Sequence, residues 1–325
     1  MKDKDRIGHH KKNISLEKVL AELESLLKRT NQQIVSSGKK PTLPIVFIVG
    51  CARSGTTLLY QFLAKTRLFG FPNNLISRFY YSPYLGAKVY QMLYELDDND
   101  EIFPIKEDGN FVSTLGKTRG PNQPHEFWYF WNRFFQFDEK GLLLNKSKET
   151  KNLDSFVNEL GAFQSAFNKP LIMKAMNMNW DIPLLNDLCN NFYFIHLKRD
   201  IKYNAQSLLH ARKSFFGNTS HWYSFKPPNY SKLKSLPEWK QVVEQVISNN
   251  NGITEGLSKV PNDKQITIDF EDFVENPTLI LIKMKAMNII KEYPEIKFNF
   301  TKQDEITVDK KTWELIASYV STKTL

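Results

Sequence analysis

The segment IVFIVGCARSGTTLLYQFLAKT at residues 45–66 constrains the fold of this chain more than any other. It begins with six mostly apolar residues that predict a buried strand. It then passes through a loop bounded by Gly50 and Gly55 and continues with apolar residues at helical spacing. A strand that leads through such a loop into a helix brings backbone N–H groups and the amino end of the helix together, and this arrangement binds anions. The segment therefore predicts an α/β fold that carries an anion-binding loop.

Short apolar runs that alternate with helical patterns extend this prediction along the chain. The predicted strands are 45–50, 171–174, 192–197 and 265–268, and the predicted helices are 57–66, 83–96, 181–190, 201–213, 238–257 and 277–292. Strands that are apolar on both faces are typical of a parallel sheet covered by helices. We therefore expect a single P-loop-like α/β domain over residues 41–325, with a central parallel sheet flanked by helices.

Two regions do not follow this alternation. Residues 1–40 are expected to form a basic, disordered head and then a helical extension, with Ser15 as the helix cap and Gly38 at its end. Residues 100–160 are rich in aromatic side chains, and we expect them to form a helical insertion over the carboxyl edge of the sheet.

Charge and cysteine content narrow the environment of the protein without identifying its ligand. The 44 basic and 35 acidic residues give a net charge of +9, which suits an anionic ligand, a nucleic acid or an acidic membrane surface. Cys51 and Cys189 lie in apolar patterns and are expected to be reduced thiols. No apolar run reaches the ~18 residues of a membrane helix, and the basic head has no signal-peptide core. A cytoplasmic protein is the expectation.

The loop at residues 50–57 resembles, but does not match, the phosphate loop of nucleotide triphosphatases. It keeps both glycines and the final hydroxyl of G-x-x-x-x-G-K-[ST], but Thr56 stands where the lysine would be. The only weak candidate for a magnesium-binding aspartate lies in residues 266–270. ATP hydrolysis is therefore disfavoured, although a kinase or triphosphatase stays as an alternative. A non-catalytic anion-binding protein is the third possible class. A nucleic-acid partner is not expected, because the sequence contains no nucleic-acid-binding motif.

Two motifs together resemble the cofactor site of the sulfotransferases that use 3′-phosphoadenosine 5′-phosphosulfate (PAPS), in particular the bacterial and carbohydrate-acting ones. RSGTT at 53–57 follows a strand, and Arg199 leaves a second strand with Ser207 eight residues further on. The resemblance covers 45–66, 170–213 and 265–290. It implies PAPS as co-substrate, without a metal. The residues that it implies are Arg53, Ser54, Gly55, Thr56 and Thr57 around the 5′ side, and Arg199 and Ser207 at the 3′-phosphate.

The resemblance also implies catalytic cations, but it leaves the base open. Arg53 and Lys174 would neutralise charge on the bridging oxygen. Cytosolic relatives carry a histidine two residues after this lysine, whereas this chain has Met176, whose thioether cannot accept a proton at neutral pH.

The base must therefore come from another segment, and Glu126 is preferred to its neighbour His125. A carboxylate among aromatic rings is expected to have a raised pKa, which would suit a base. That both residues merely cap the following helix is an open alternative. Further candidates are Glu107 and Asp108 for the base, and Lys302 for the 3′-phosphate.

The acceptor is the least constrained part of the prediction. The aromatic run at 127–135, with Arg119 and Arg133 nearby, suits a sugar or a phenol, although most of these rings are expected to pack in the core. We expect transfer to a hydroxyl, or to an amine, of a small molecule or glycan, with a carbohydrate or glycolipid preferred.

Overall fold

The computed structural model describes residues 6–7, 11–36, 38–97, 99, 101–103, 113–144, 150–295, 298, 300 and 305–323. The sequence candidates Glu107, Asp108 and Lys302 lie outside the described residues.

Four parallel strands form the central sheet, as predicted. The strands of the chain are β1 (Ile45–Val49), β2 (Ser113–Thr114), β3 (Lys117–Thr118), β4 (Leu171–Lys174), β5 (Phe192–Lys198) and β6 (Gln265–Asp269). The central sheet has the order β4-β1-β5-β6, and β2 pairs with β3 in a separate antiparallel hairpin. Because β1 occupies an inner position, the loop that follows it lies between the loops that follow β4 and β5.

Helices cover both faces of this sheet. They are α1 (Ile14–Val35), α2 (Thr56–Lys65), α3 (Pro83–Tyr90), α4 (Trp128–Phe134), α5 (Thr150–Phe167), α6 (Ile182–Leu188), α7 (Ile201–Phe216), α8 (Tyr230–Leu233), α9 (Glu238–Leu257), α10 (Phe270–Glu275), α11 (Thr278–Ala286) and α12 (Lys310–Ser321). The predicted helix over 83–96 is an α-helix only to Tyr90 and continues as a π-helical turn over Gln91–Glu95. The predicted cap of α1 is wrong: Asn13, not Ser15, accepts a hydrogen bond from Leu16 N–H.

The two faces of β1 belong to two different parts of the core. Ile45, Phe47 and Val49 pack in a cluster with the aromatic rings of α4 and α5. Val46 and Ile48 point to the other face, where α2, α10 and α11 supply the partners. All five residues of β1 are fully buried, which explains why this strand has no polar alternation.

The aromatic-rich region is helical only in part. It contains α4 and α5, but also the short hairpin β2–β3, which the sequence pattern did not predict. In the aromatic run at 127–135, the buried side chains are Phe127, Phe130, Trp131, Phe134 and Phe135. Trp128 and Tyr129 are half-buried.

Cys51 is buried, Cys189 is half-buried, and both are free thiols. None of the helices that the structure describes has the length and apolar character needed to cross a membrane.

Candidate active site

Two glycines shape the loop between β1 and α2. A Cβ at Gly50 would lie 2.9 Å from Leu197 O, and also close to the Ser54 and Thr56 side chains. Gly55 has φ +94°, and a Cβ there would lie 2.3 Å from the Phe270 ring. Only glycine therefore allows the loop to approach β5 and α10 so closely.

The amino end of α2 is left open toward the loop. No side chain caps it, and its first turn contains no acidic residue. Leu59 N–H donates to Gly55 O at 3.1 Å, so the N–H groups of Thr56, Thr57 and Leu58 precede the first intrahelical bond. These groups and the helix dipole can together bind an oxyanion.

On one side of the loop, the structure brings together Arg53, Arg199 and Ser207. Arg53 Nε donates to Ser207 Oγ at 3.3 Å, and Arg199 Nη1 donates to Arg53 O at 3.3 Å. The Arg199 guanidinium lies 4.9 Å from the centre of the Phe270 ring and is 9% exposed. Phe270 thus packs against both Gly55 and Arg199. The Arg53 side chain, which the resemblance placed at the 5′ side, lies with the predicted 3′-phosphate residues.

Asp200, next to Arg199, caps α7 by accepting a hydrogen bond from Lys202 N–H at 2.8 Å. The cap fixes the start of α7, and therefore the position of Ser207 relative to the end of β5.

On the other side, Lys174 connects the loop to Glu126. Lys174 Nζ donates to Thr57 Oγ1 at 2.7 Å and to Glu126 Oε1 at 2.9 Å. Glu126 Oε2 accepts a bond from Trp128 Nε1 at 2.7 Å. The Lys174 side chain is 3% exposed and that of Glu126 is 28% exposed, so the ammonium is buried while the carboxylate faces a cavity.

The expectation of a raised pKa for Glu126 is wrong. Burial alone would raise this pKa, but the charge and hydrogen bond of Lys174, together with the bond from Trp128, outweigh burial and lower it from 4.5. Glu126 is therefore an ionised carboxylate at neutral pH. The sequence placed it among aromatic rings but did not show that an ammonium lies on its other side.

His125 is also held in one protonation state. Burial, followed by opposing effects of Glu126 and nearby cations, lowers the pKa of His125 to about 4, so the imidazole is neutral at pH 7. Its Nδ1 accepts a hydrogen bond from Phe127 N–H at 2.9 Å. His125 therefore stabilises the start of α4, in the way that the capping alternative described.

Met176 packs against the loop where cytosolic relatives would carry a histidine. Thr56 Oγ1 donates to Met176 Sδ at 3.6 Å, and Met176 is buried. This position supplies no proton acceptor, as the sequence indicated.

The hairpin β2–β3 is a part of the site that was not predicted. Its turn residues, Leu115 and Gly116, both have positive φ, and a Cβ on Gly116 would lie 3.5 Å from Thr57 Oγ1 and 3.7 Å from Glu126 Oε1. Such a two-residue turn is typical of a tight hairpin. The letters TLGK at 114–117, a Leu-Gly pair between two polar residues, were the available signal.

Tyr223 is the second residue that was missed. Its hydroxyl donates to Leu115 O at 3.3 Å and so holds the hairpin turn. Burial raises the pKa of Tyr223 to about 12, with a smaller lowering by Arg53 and a raising by Glu126. Tyr223 therefore lies close enough to Arg53 and to Glu126 for both charges to affect its pKa. Nothing in the sequence around Tyr223 indicated this position.

A cavity of about 810 Å³ opens beside Glu126. His125, Trp128, Gly116 and Arg119 line it as well. Trp128 is the only ring of the run 127–135 in its lining. Arg133, by contrast, forms a buried ion pair with Glu159 at 2.6 Å.

The chain belongs to the sulfotransferase family, whose family profile matches residues 44–284. The structure is similar to two bacterial sulfotransferases. STF1 from Mycobacterium tuberculosis H37Rv matches with a TM-score of 0.51 and 11% identity, over 93% of this chain and 78% of that one. STF9 from Mycobacterium avium matches with a TM-score of 0.50 and 12% identity, over 92% and 72%. Identities this low support the fold alone. None of the curated proteins compared matches the chain.

Membership of a sulfotransferase family supports sulfuryl transfer over the kinase or triphosphatase alternative. Within the part of the chain that the structure describes, no group of three or more His, Cys, Asp or Glu residues could hold a metal ion.

Proposed function

We propose that this protein transfers a sulfuryl group from PAPS to a hydroxyl of an acceptor bound in the cavity beside Glu126. The observation that carries the proposal is the position of Lys174, whose ammonium contacts the first turn of α2 through Thr57 and the carboxylate of Glu126 at once. A cation between an anion-binding loop and a carboxylate is the arrangement that in-line transfer needs.

The residues around the loop fit a nucleotide with two separate phosphate groups. The open N–H groups of α2 suit the 5′ end, while Arg53, Arg199 and Ser207 suit a 3′-phosphate. A guanidinium at a strand end and a helix hydroxyl offer charged and neutral donors for such a group. Ser54 Oγ is buried with no hydrogen-bond partner among the described residues, so this loop also has an unused donor.

PAPS would supply the sulfuryl group. In the proposed reaction an oxygen–sulfur bond to the acceptor forms while the sulfur–oxygen bond to the 5′-phosphate breaks, and the acceptor proton goes to Glu126. The products are a sulfate ester and 3′-phosphoadenosine 5′-phosphate (PAP).

Glu126 and Lys174 have coupled roles in this proposal. When Glu126 accepts the proton it loses its charge, so its attraction for Lys174 falls. Lys174 is then free to stabilise the negative charge that develops on the leaving oxygen. Proton uptake by Glu126 therefore weakens its pairing with Lys174 in the same step in which negative charge develops on the leaving oxygen. His125 is the alternative base, but its hydrogen bond with Phe127 N–H occupies Nδ1.

A carbohydrate or glycolipid is the acceptor class that we propose, because Trp128 lines the cavity and can stack on an apolar sugar face. We also propose a cytoplasmic location, as expected from the sequence.

The test is binding and turnover by the purified full chain. We expect calorimetry to show PAP binding that exceeds the binding of adenosine 5′-phosphate and of Mg-ATP. Incubation with ³⁵S-labelled PAPS and a panel of glycans, phenols and lipids should then yield a labelled product from a hydroxyl acceptor. Absence of PAP binding, or magnesium-dependent turnover of ATP, would overturn the proposal.

A further inference from the structure

The cavity beside Glu126 carries more positive charge than the proposed transfer requires. Three cationic residues line it, namely Arg78, Lys117 and Arg119, and Glu126 is the only acidic residue among the described residues of its lining. All three cationic residues are exposed. Among the described residues, none provides an ion-pair partner within 4.0 Å of these three side chains.

Glu126 does not compensate these charges, because Lys174 already neutralises it at 2.9 Å. Arg133, outside this cavity, differs from these residues because it forms an ion pair with Glu159 at 2.6 Å. Among the residues that the structure describes, Arg78, Lys117 and Arg119 therefore form a local excess of cations around the cavity. Partial burial and, to a smaller extent, the nearby positive charge of Arg6 lower the pKa of Lys117.

The cationic residues come from two segments that are fixed to each other. Arg78 lies in the 3₁₀ turn Ile76–Phe79, and Lys117 and Arg119 lie in and after β3. Asn74 Nδ2 donates to Thr118 Oγ1 at 3.1 Å and to Gly120 O at 2.8 Å, which joins the two segments. These bonds fix the two segments that carry the cationic residues relative to each other, which reduces the cost of binding a ligand between them.

We propose that the acceptor carries an oxyanion near its reactive hydroxyl, and that Arg78, Lys117 and Arg119 bind this group in the cavity. The oxyanion is a carboxylate, a sulfate ester or a phosphate ester, since all three accept hydrogen bonds from guanidinium and ammonium groups. The inference rests on the proposed function, because it assigns this cavity to the acceptor. It adds a requirement to that function, since neutral sugars and phenols would leave the cluster without an anion.

The test uses aryl glycosides that differ in charge. Phenyl β-glucoside is compared with phenyl β-glucuronide, and with the 6-sulfate and the 6-phosphate of the glucoside, by calorimetric titration with and without PAP. We expect at least one anionic probe to bind about tenfold more tightly than the neutral one at low salt, and the preference to shrink as salt rises.

A triple variant tests the residues themselves. Arg78→Gln, Lys117→Gln and Arg119→Gln together should remove the preference and leave PAP affinity unchanged. The charge-matched control is Lys232→Gln, Lys234→Gln and Lys291→Gln, at three exposed positions outside the cavity lining, and it should keep the preference.

The inference is overturned by equal affinities for all probes, by failure of every probe to bind, or by a preference that survives the first triple variant. Failure of PAP to bind while the preference holds would instead overturn the proposed function, so the two failures are distinguishable.

Discussion

Lys174 and Glu126 form an ion pair, with 2.9 Å between Nζ and Oε1, and the same ammonium donates to Thr57 Oγ1 at 2.7 Å. Glu126 comes from the segment before α4, whereas Thr57 belongs to α2, so Lys174 at the end of β4 joins two segments that are distant in the sequence. A change in the charge of Glu126 therefore acts directly on the first turn of α2. This relationship is the basis of the first two predictions.

The first prediction concerns Glu126→Gln. Glutamine keeps the size of the side chain and an oxygen that can accept a bond from Lys174, but it cannot accept a proton. We expect PAP affinity to stay within about twofold, while turnover of the acceptor falls by roughly 10²–10⁴, the usual contribution of a general base. Single-turnover measurements of PAP release would separate the chemical step from binding.

The control for Glu126 is His125→Asn. The asparagine Oδ1 can replace Nδ1 as acceptor for Phe127 N–H, so the start of α4 is preserved while the imidazole is lost. Turnover should remain within a few-fold of the unsubstituted protein. If His125→Asn abolishes turnover and Glu126→Gln retains it, the histidine is the base and our assignment is wrong.

The second prediction is the pH dependence of activity. The pKa of Glu126 is lowered from 4.5 in the folded protein, so the carboxylate is ionised throughout the neutral range. The stability from its pair with Lys174 is fully present above the ordinary pKa and is lost as the pH falls through the lowered one. Glu126 therefore adds no acidic limb to kcat/KM above about pH 5. An acidic limb between pH 6 and 7 that disappears in Glu126→Gln would contradict this prediction.

Most of the central sheet was predictable because β1, β4 and β5 are short apolar runs that are buried over most of their length. All four strands of the central sheet were predicted from short apolar runs next to a loop or helix signal. β6, at the edge of the sheet, differs from the prediction because its residues alternate between buried and exposed. The hairpin β2–β3 was not, because each strand has only two residues, too few for alternation to be visible. Its position depends on contacts with Thr57 and Tyr223, which are far away in the sequence.

The site could be predicted only where it is local in the sequence. Gly55 and the two threonines lie in one motif, and Arg199 and Ser207 are separated by a fixed helical spacing. The contact between Lys174 and Glu126 joins positions 48 residues apart, and no pattern within either segment encodes it. The pKa prediction for Glu126 failed for this reason: the aromatic neighbours were visible in the sequence, but the ammonium was not.

The third prediction concerns Arg199→Ala. The guanidinium lies over Phe270 and donates to Arg53 O, and we propose that it binds the 3′-phosphate. Its loss should weaken PAP by roughly 2–3 kcal/mol, the scale of a charge-assisted hydrogen-bonded pair, and leave adenosine 5′-phosphate affinity almost unchanged. Calorimetric titration with the two nucleotides measures the difference.

Lys202→Ala is the control for Arg199, because Lys202 lies three residues further on, in the first turn of α7, and its ammonium pairs with Asp200 at 3.7 Å. Its removal should change PAP affinity by less than about 0.5 kcal/mol, as expected for an exposed pair. Equal losses of PAP and adenosine 5′-phosphate affinity in Arg199→Ala would show that Arg199 holds the loop and does not select the 3′-phosphate.

The fourth prediction concerns Gly55→Ala, for which the chain offers a matched control. Gly55 and Gly38 both have positive φ, +94° and +62°, so alanine is strained at either position. The surroundings differ, because a Cβ at Gly55 would lie 2.3 Å from Phe270, whereas nothing lies within 4 Å of a Cβ at Gly38. We expect Gly38→Ala to lower the free energy of unfolding by about 1 kcal/mol, through backbone strain alone. Gly55→Ala should lower it by about 2–4 kcal/mol, because overpacking adds to the strain.

Since Phe270 also supports the Arg199 guanidinium at 4.9 Å, displacement of the ring should weaken PAP binding in Gly55→Ala but not in Gly38→Ala. Urea denaturation followed by fluorescence, together with PAP titration of both variants, measures these effects. Equal destabilisation by the two substitutions, with PAP affinity retained in both, would show that Phe270 yields without cost and that the close approach of α10 does not hold the loop in place.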